Sequence, residues 1–300
     1  MRQRGRYTRW LAALLGALAL AAPVGGEASD PVVLAAGDIA SCESNGDEQT
    51  AALLDGLPGR ILALGDLAYY GGSAREFSEC YGPSWGRHKA RTYPSPGNHD
   101  YRTGGAEPYF AYFGAVAGRP DQGWYSFDLG AWHIVSLNSN CDEVGGCKQS
   151  SPQGRWLAAD LAAHPALCTL AYWHHPRFNS GSKHGNATKM AAFWELLQQH
   201  GADVILSGHE HVYERFGPQS AAGKADPNGI RQFTVGTGGR SLRGFGTLEP
   251  NSEARSGAAF GVLKLSLHAT SYDWEFVPVA GASYADRGSA SCVQGPQLAR

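Results

Sequence analysis

Short apolar runs that end in polar turns recur along the chain. Five of them lead into glycine, carboxylate, amide or histidine residues: 32-VVLAAGD-38, 61-ILALGD-66, 92-TYPSPGNHD-100, 170-LAYWHH-175 and 204-VILSGHEH-211. Continuous apolar runs of this length predict buried strands inside sheets that are covered on both faces. The third run contains two prolines and the fourth is brief, so the pattern indicates a strand less clearly in those two.

Helical patterns lie between several of these runs. They are 47-DEQTAALLDGL-57, 151-SPQGRWLAADLAAHP-165 and 186-NATKMAAFWELLQQHG-201. We expect Asp47 to cap the first helix and the third helix to begin at Asn186. Ser151 is expected to cap the second helix, with Pro152 at its first position. Strands that alternate with helices imply an α/β sheet whose faces are covered.

The last third of the chain has a different pattern, with alternating polar and apolar residues or many β-branched and aromatic ones. Such segments predict strands, and they are 231-RQFTVGT-237, 259-AFGVLKLSLH-268 and 271-SYDWEFVPV-279. The last two are expected to form a hairpin that turns at Ala269–Thr270. Segments 123–130 and 131–138 are expected to pair across Gly130. Segments 217–229 and 238–257, rich in Gly, Ser and Pro, predict surface loops.

These elements together predict an α/β fold, a four-layer α/β/β/α sandwich of two mixed sheets with the helices outside. In open α/β sheets, ligands collect beyond the carboxyl ends of the strands, so a site is expected there. The sequence has no internal repeat, charge block or proline-rich linker that would mark a boundary. We therefore expect residues 29–300 to form a single domain.

The N-terminal segment has the pattern of a secretory signal peptide. Four arginines precede an apolar run from Trp10 to about Ala22, and small residues follow. The run is shorter than the roughly 20 residues needed to span a bilayer, although a retained anchor is the alternative. We expect residues 1–28 to be removed after Ala28, with Ala21 and Ala22 as other possible cleavage points. The mature protein would then be secreted or extracytoplasmic, with no stable membrane anchor.

Charge argues against nucleic-acid binding. Loss of residues 1–28 takes Lys+Arg from 25 to 21 and Asp+Glu from 27 to 26, leaving a formal charge near −5. Sequence-independent binding of nucleic acid rests on many Lys and Arg contacts to phosphates, which an acidic protein does not offer. We therefore expect no nucleic-acid partner other than as a substrate.

Six cysteines in an exported chain predict disulfides. They are Cys42, Cys80, Cys141, Cys147, Cys168 and Cys292. The stretch 141-CDEVGGC-147 contains a Gly-Gly turn and could close a short loop, whereas spacing does not assign the remaining pairs. Zinc ligation is the competing interpretation, but the sequence has no CxxC pair.

Metal-compatible side chains stand at the predicted strand ends. They are Asp38, Asp66, Tyr69, Asn98, His99, His174, His175, His209 and His211. Singly, each has an ordinary explanation, such as a turn residue, a helix cap or a core histidine. Five strand ends that carry such groups in one chain rarely arise by chance. Carboxylate, amide and imidazole donors together form a mixed N/O set that suits Zn, Fe or Mn.

The ordered motifs resemble one known superfamily. The set GD (37–38), GDxxY (65-GDLAY-69), GNHD (97–100), a strand-end histidine (173-WHHP-176) and GHxH (208-GHEH-211) is similar to that of the calcineurin-like metallophosphoesterases. The tyrosine of GDxxY points to their purple acid phosphatase branch. The resemblance covers about residues 31–280, so the expected single domain 29–300 would be a metallophosphoesterase domain.

The resemblance implies two adjacent metal ions with a shared ligand. The first would be held by Asp38, Asp66, Tyr69 and His211, and the second by Asp66, Asn98, His174 and His209. The histidines of the HxH pair would thus bind different metals. His174 is preferred to His175 because the family's motif is His-x-Pro, and 174-HHP-176 matches it at the first histidine. His175 is then expected to line the pocket.

Two further histidines resemble pocket residues of the family. His99, beside Asn98, resembles the histidine that contacts phosphate and protonates the leaving group. His184, in 181-GSKHGN-186, resembles a second pocket histidine, although an exposed loop histidine is the alternative. We expect both to be catalytic.

The implied function is a secreted, dinuclear-metal phosphoesterase of the acid phosphatase type that hydrolyses small phosphate monoesters with a metal-bound hydroxide. Two metals about 3.5–4 Å apart can clamp a phosphoryl group and activate water. Phenolate at Tyr69 suits Fe(III), so the expected pair is Fe(III) with Zn, Fe or Mn; with Tyr69 in the core, dizinc or dimanganese is the alternative. A phosphodiesterase or nucleotidase on the same scaffold, and a non-catalytic metal- or phosphate-binding protein, are the other functions considered.

Overall fold

Apolar residues alternate between the two faces of the central strands, and this explains how the layers pack. In the computed structural model, which describes Met1 and residues 30–293, Leu170, Val204 and Phe233 belong to a buried core that both sheets share. Ala171 and Ile205, their neighbours along the strands, belong to a second buried core under the helices. Strands that are apolar on both faces are therefore covered on both faces, as the continuous runs predict.

The secondary structure follows the apolar pattern closely. The described strands are β1 (Val32–Ala36), β2 (Ala40–Ser41), β3 (Arg60–Leu64), β4 (Ala68–Tyr69), β5 (Thr92–Ser95), β6 (Tyr125–Leu129), β7 (Trp132–Ser136), β8 (Cys168–Tyr172), β9 (Val204–Ser207), β10 (Tyr213–Phe216), β11 (Arg231–Val235), β12 (Ser252–Ser256), β13 (Gly261–Leu267), β14 (Ser271–Pro278) and β15 (Arg287–Ser291). The described α-helices are α1 (Gly46–Gly56), α2 (Ala74–Glu76), α3 (Glu107–Phe113), α4 (Pro152–Ala163) and α5 (Ala191–Gln199).

Two large mixed sheets form the centre of the fold. The first has the order β15-β14-β13-β1-β3-β5 and the second β12-β10-β11-β9-β8-β7-β6. Strands β1, β3 and β5 are parallel, as are β7, β8, β9 and β11, and the remaining pairings in these sheets are antiparallel. Helix α1 packs against the first sheet, and α4 and α5 pack against the second. The predicted α/β fold with two mixed sheets is confirmed.

The two weaker strand predictions are also confirmed. The run with two prolines forms β5, which is the edge strand of the first sheet, and Pro94 lies within it. Proline is tolerated at an edge because its missing N–H leaves no ladder bond unmade there. The predicted hairpins occur as β6–β7 and β13–β14, with Gly130 at φ +63° in the first turn.

Two predicted helix starts are wrong, and a third is confirmed. The N-cap of α1 is Asn45, while Asp47 lies inside the first turn and accepts a hydrogen bond from the Ser84 hydroxyl. Helix α5 begins at Ala191, directly after the 3-10 helix Thr188–Met190, and the Asn186 side chain accepts a hydrogen bond from Asn179 N in the loop before it. Ser151 caps α4 as predicted, and its hydroxyl accepts from Gly154 N.

The predicted loop 238–257 contains strand β12, which its Gly- and Ser-rich composition does not predict. Strand β12 lies at the edge of the second sheet, and its sequence SEARS has no apolar stripe for a pattern to detect. The short helix α3 and the last strand β15 were likewise not predicted.

All six cysteines form disulfides, as predicted. The pairs are Cys42–Cys80, Cys141–Cys147 and Cys168–Cys292, with Cα–Cα distances of 5.0, 5.2 and 5.5 Å. The bridge between Cys141 and Cys147 closes the short loop that the Gly-Gly turn suggested. The Cys168–Cys292 bridge ties the start of β8 to the end of the described chain.

The predicted signal peptide, residues 1–28, lies outside the described residues apart from Met1. Within the described part of the chain, every helix is too short or too polar to cross a bilayer.

Candidate metal centre

The predicted site residues follow the carboxyl ends of five parallel strands. Asp38 and Asp66 lie two residues after β1 and β3, and Asn98 and His99 lie in the turn after β5. His174 follows β8, and the two histidines of the HxH pair, His209 and His211, lie in the loop after β9. Both sheets therefore contribute to one cluster at this edge, as expected for an α/β fold.

The first group of donors is compact and almost fully buried. The Tyr69 hydroxyl lies 2.9 Å from both Asp38 Oδ1 and Asp66 Oδ2. His211 Nε2 lies 3.3 Å from the same hydroxyl and 3.3 Å from Asp38 Oδ1. A hydroxyl has one proton and can satisfy only one of two carboxylates at a time. Two buried carboxylates that face each other across it form a set of donors that suits a cation.

The second group shares Asp66 with the first. His174 Nε2 lies 3.3 Å from Asp66 Oδ2 and 3.2 Å from His209 Nδ1. Ligand atoms of Asp66, His174 and His209 all lie within 4.8 Å of one another. Asn98 Oδ1 is buried and has no hydrogen-bond partner within the described part of the chain. A buried amide oxygen without a partner is costly, and a cation would satisfy it.

Strained backbone positions three of these side chains. Five non-glycine residues of the described chain have positive φ, and three of them belong to the cluster: Asp38 at +58°, Asp66 at +54° and His209 at +71°. Such conformations cost free energy and occur at functional sites when surrounding structure holds them. The loops are held by Asp38 Oδ2, which accepts a hydrogen bond from His209 N at 2.7 Å.

The motifs require glycine because neighbouring strand ends pack directly against its backbone. A Cβ on Gly65, whose φ is +83°, would lie 2.6 Å from His174 Nδ1. A Cβ on Gly97 would overlap the backbone nitrogen and side chain of Asp66. The glycine in each motif therefore allows the next strand end to come into contact with the cluster.

Hydrogen bonds from outside the cluster orient two of the imidazoles. His174 Nδ1 donates to the Leu64 carbonyl at 2.8 Å, which leaves Nε2 for the cluster. His211 Nδ1 lies 2.7 Å from Ser241 Oγ, so its Nε2 also faces inward. Partners of this kind fix the ring orientation of metal-binding histidines. The sequence did not single out Ser241, because it lies in a loop 30 residues beyond His211.

Asp100, the last residue of GNHD, is a further residue that sequence reasoning did not assign. Its carboxylate accepts hydrogen bonds from Asp66 N at 3.0 Å, Leu67 N at 3.2 Å and Gly97 N at 2.8 Å. It thus joins the turns after β3 and β5. Burial and the nearby Asp66 raise the pKa of Asp100 to about 7. The signal in the sequence that could have identified Asp100 is its position in the GNHD motif, directly after Asn98 and His99.

The electrostatics of the cluster favour a cation. Burial tends to raise the pKa of Asp66, but His174 and His99 outweigh it and hold that pKa well below its usual range. Burial opposes charge on His174, yet Asp66 outweighs it and raises the pKa of His174 to about 9. A metal ion and a proton compete for the same imidazole nitrogen. Anionic surroundings favour the binding of either cation there. Burial, followed by the nearby carboxylates, raises the pKa of Tyr69 far above 10.0, so phenolate here requires a positive neighbour.

The remaining histidines line the cluster. His99 Nδ1 donates to the Tyr70 carbonyl at 2.7 Å, and its Nε2 lies 3.9 Å from Asp66 Oδ2. The His184 ring lies 4.1 Å from that of His209, so the structure places it beside the cluster. His175 Nδ1 is bonded to Ser139 Oγ at 2.7 Å, and its ring lies 4.4 Å from His209. His175 therefore lies against the cluster, and its role as a pocket-wall residue stays a prediction.

Comparison with known proteins identifies the family. The family profile described as calcineurin-like phosphoesterase matches residues 31–213. The chain belongs to the calcineurin-like phosphoesterase family. The predicted superfamily is confirmed, and the relatives support the purple acid phosphatase-like branch.

Curated relatives of this family member match only part of its length. Purple acid phosphatase 22 of Arabidopsis thaliana is 39% identical over 121 residues, which are 39% of this chain and 27% of the relative. Purple acid phosphatase 23 of the same plant is 27% identical over 224 residues, or 62% of this chain and 48% of the relative. Human acid phosphatase type 7 is 32% identical over 147 residues, which are 41% of this chain and 32% of the relative. The chain thus matches less than half of each of these relatives.

Solved structures share the fold at low identity. The purple acid phosphatase PPD1 from yellow lupin seeds has a TM-score of 0.71 and 19% identity, over 90% of this chain and 55% of that one. GAP50, the anchor in the inner membrane complex of Plasmodium, has a TM-score of 0.67 and 14% identity, over 90% of this chain and 91% of that one. One fold therefore accommodates proteins with different roles, and function has to be argued from the site.

Proposed function

We propose that this phosphoesterase-family chain hydrolyses small phosphate monoesters at a dinuclear metal centre. The observation that carries the proposal is the sharing of Asp66 between two groups of donors. One group contains Asp38, Tyr69 and His211, with atoms 2.9–3.3 Å apart. The other contains His174 and His209, with contacts of 3.2–3.3 Å. A carboxylate between two such groups is suited to bridge two cations.

The residues present fit a metal pair. The first group offers two carboxylates, a phenol and an imidazole, and the second offers the shared carboxylate, two imidazoles and the unpartnered Asn98 Oδ1. This mixed N/O set suits Zn, Fe or Mn, and a phenol ligand suits Fe(III) best. When bound, two metals supply Lewis-acid stabilisation of the phosphoryl oxygens and activate water as the nucleophile. We propose Fe(III) with Zn, Fe or Mn.

His99 is positioned to serve as the general acid. Because its Nδ1 proton is held by the Tyr70 carbonyl, Nε2 is the atom that faces the centre. When the ring is protonated on both nitrogens, Nε2 can deliver its proton to the leaving-group oxygen as the P–O bond breaks, and the neutral ring keeps the Nδ1 proton on the Tyr70 carbonyl. The His184 ring lies 4.1 Å from that of His209, and we propose that it contacts the phosphoryl oxygens from the loop that follows β8. Hydrolysis then yields inorganic phosphate and the alcohol.

The proposal is tested by hydrolysis of p-nitrophenyl phosphate and bis-p-nitrophenyl phosphate by metal-loaded protein, with metal content measured on the same sample. Faster turnover of the monoester supports the proposal, and faster turnover of the diester supports a phosphodiesterase instead. Absence of turnover of either ester at full metal content would overturn catalysis and favour a binding protein. The plant relatives named as purple acid phosphatases support the first outcome.

We also propose that the protein is exported and that residues 29–300 form one metallophosphoesterase domain. Three disulfides support export, because such bonds persist in oxidising compartments. The buried core that both sheets share supports a single domain. N-terminal sequencing of the protein recovered outside native cells tests both cleavage after Ala28 and export. An N-terminus at Met1 would refute cleavage.

A further inference from the structure

The loop after β11 crosses the metal centre and contributes side chains that no family motif names. Its sequence is 238-GGRSLRGFG-246. Gly238 N donates to the Gly37 carbonyl and Arg240 N donates to the Asp38 carbonyl, both at 2.9 Å. The Thr50 hydroxyl donates to the Gly238 carbonyl. These bonds fix the backbone of the loop to the strand end that carries Asp38 and to helix α1.

The two arginines of this loop have different surroundings. The Arg243 guanidinium has partners within the protein. Its Nη1 donates to the His209 carbonyl at 3.3 Å and lies 3.7 Å from the buried Glu210 carboxylate. The Arg240 guanidinium has one charged partner among the described residues, Glu43, at 3.5 Å. The Glu43 side chain is 70% exposed, so this pair contributes little and is readily replaced by another anion.

Aromatic rings hold the Arg240 guanidinium at the rim of the centre. Its central carbon lies 4.5 Å from the centroid of the Tyr70 ring and 5.4 Å from that of Tyr69. Tyr70 is 51% exposed, so this side of the cluster meets solvent. A guanidinium stacked on a ring keeps its N–H groups free at the edge, where they can bind an oxyanion in a forked geometry.

The position of Arg240 relative to His99 indicates which part of a substrate it would meet. The His99 ring lies 4.4 Å from the Tyr69 ring and 5.8 Å from the Tyr70 ring, the same two rings that carry Arg240. His99 is the proposed donor to the leaving-group oxygen. A group attached to that oxygen would therefore extend past the tyrosines towards Arg240.

We propose that Arg240 is a specificity residue that binds a second phosphate group carried by the leaving group of the substrate. The proposal rests on the proposed phosphoesterase function. The substrates concerned are diphosphates, such as inorganic pyrophosphate and nucleoside diphosphates. In their hydrolysis the bridging P–O bond breaks and water oxygen bonds to phosphorus. The departing phosphate takes up one proton and remains against Arg240.

The test compares kcat/KM for pyrophosphate with kcat/KM for p-nitrophenyl phosphate, whose leaving group has no second phosphate. Arg240→Gln should lower the ratio of the two values by about 10- to 100-fold, as expected for loss of charge-assisted hydrogen bonds. Arg240→Lys keeps the charge without the fork and should restore the ratio only in part. Arg119→Gln removes an equal charge at an exposed side chain paired with Asp121, and it should leave the ratio unchanged. An unchanged ratio in Arg240→Gln would overturn the proposal.

Binding of unreactive ligands separates this proposal from the proposed function. Methylenebisphosphonate and methylphosphonate are titrated by calorimetry into the metal-loaded wild-type protein and into Arg240→Gln. If Arg240→Gln lowers the affinity for methylenebisphosphonate by about 10- to 100-fold and leaves that for methylphosphonate unchanged, the role of Arg240 is supported. This holds even if the wild-type protein hydrolyses neither p-nitrophenyl phosphate nor its diester. Equal weakening of both ligands, or of neither, overturns it. Active protein with an unaltered preference would refute the role of Arg240 and leave the phosphoesterase function standing.

Discussion

Replacement of Asp66 by asparagine tests the shared carboxylate directly. Its Oδ2 lies 2.9 Å from the Tyr69 hydroxyl on one side and 3.3 Å from His174 Nε2 on the other. The amide keeps the size of the side chain, and its oxygen can still accept the hydrogen bond from His99 N that Oδ1 accepts in the native protein. It removes the negative charge and one lone-pair oxygen from both groups of donors at once. Both metals should therefore be lost together.

The size of the effect follows from the number of ligands affected. Loss of a partner that only orients a ligand typically costs 10- to 100-fold in metal affinity, so loss of a direct ligand at each of two sites should cost at least about 100-fold at each. His209→Asn, by contrast, affects only the second group, and asparagine tolerates its φ of +71°. Metal content should fall from about two ions per chain to near zero in Asp66→Asn, and to about one in His209→Asn.

Metal content is measured by mass spectrometry on gel-filtered protein, with circular dichroism to establish that each variant is folded. Asp55→Asn is the matched control, because Asp55 is an exposed carboxylate near the end of α1 that pairs with Arg87. It should retain both metals. A folded Asp66→Asn protein that keeps one metal, or two, would refute the bridge. Loss of both metals from His209→Asn would show that the two sites do not bind independently.

Three further outcomes are expected. His99→Ala should lower turnover by about 10²- to 10⁴-fold with metal content intact, whereas metal loss would contradict its role as an acid. Tyr69→Phe should abolish the visible absorption of iron-loaded, oxidised protein; retained colour would exclude Tyr69 as an iron ligand. Burial lowers the pKa of His133, but contacts with Asp160 and Asp128 outweigh it and raise that pKa above 6.5. This stabilisation is complete below pH 6.5 and lost at higher pH, so unfolding temperatures should fall as pH rises and His133→Asn should weaken that dependence.

The metal-binding candidates could be predicted because the constraints on them are local. Asp66 and Asn98 each stand beside a glycine that allows close contact between strand ends, and both are within a few residues of an apolar strand. Strand, glycine and donor therefore appear as one short motif. The Cys141–Cys147 disulfide could be proposed for the same reason, since six positions separate its cysteines. The Cys168–Cys292 pair spans 124 positions, and no local pattern connects them.

Elements without an apolar pattern could not be predicted. Strand β12 lies at a sheet edge with alternating exposed and half-buried residues, so its composition resembles that of a loop. Helix α5 begins five residues later than its capping pattern suggests, because Asn186 forms a hydrogen bond within the loop before it. For β12, pairing with β10 outweighs the local preference of the chain, and for α5 a hydrogen bond within the preceding loop does so.

The residues that support the centre escape prediction for a different reason. Ser241 and Arg240 each contribute a contact that several polar or charged residue types could make, and both come from a loop far along the chain from their partners. A metal ligand must have a particular donor atom at a particular strand end, whereas an orienting partner needs only one hydrogen bond in the right place. Sequence patterns therefore identify which chemistry the site can perform. Residues such as Arg240 and Ser241, which reach the site from a distant loop, become visible only once the fold brings that loop to the strand ends.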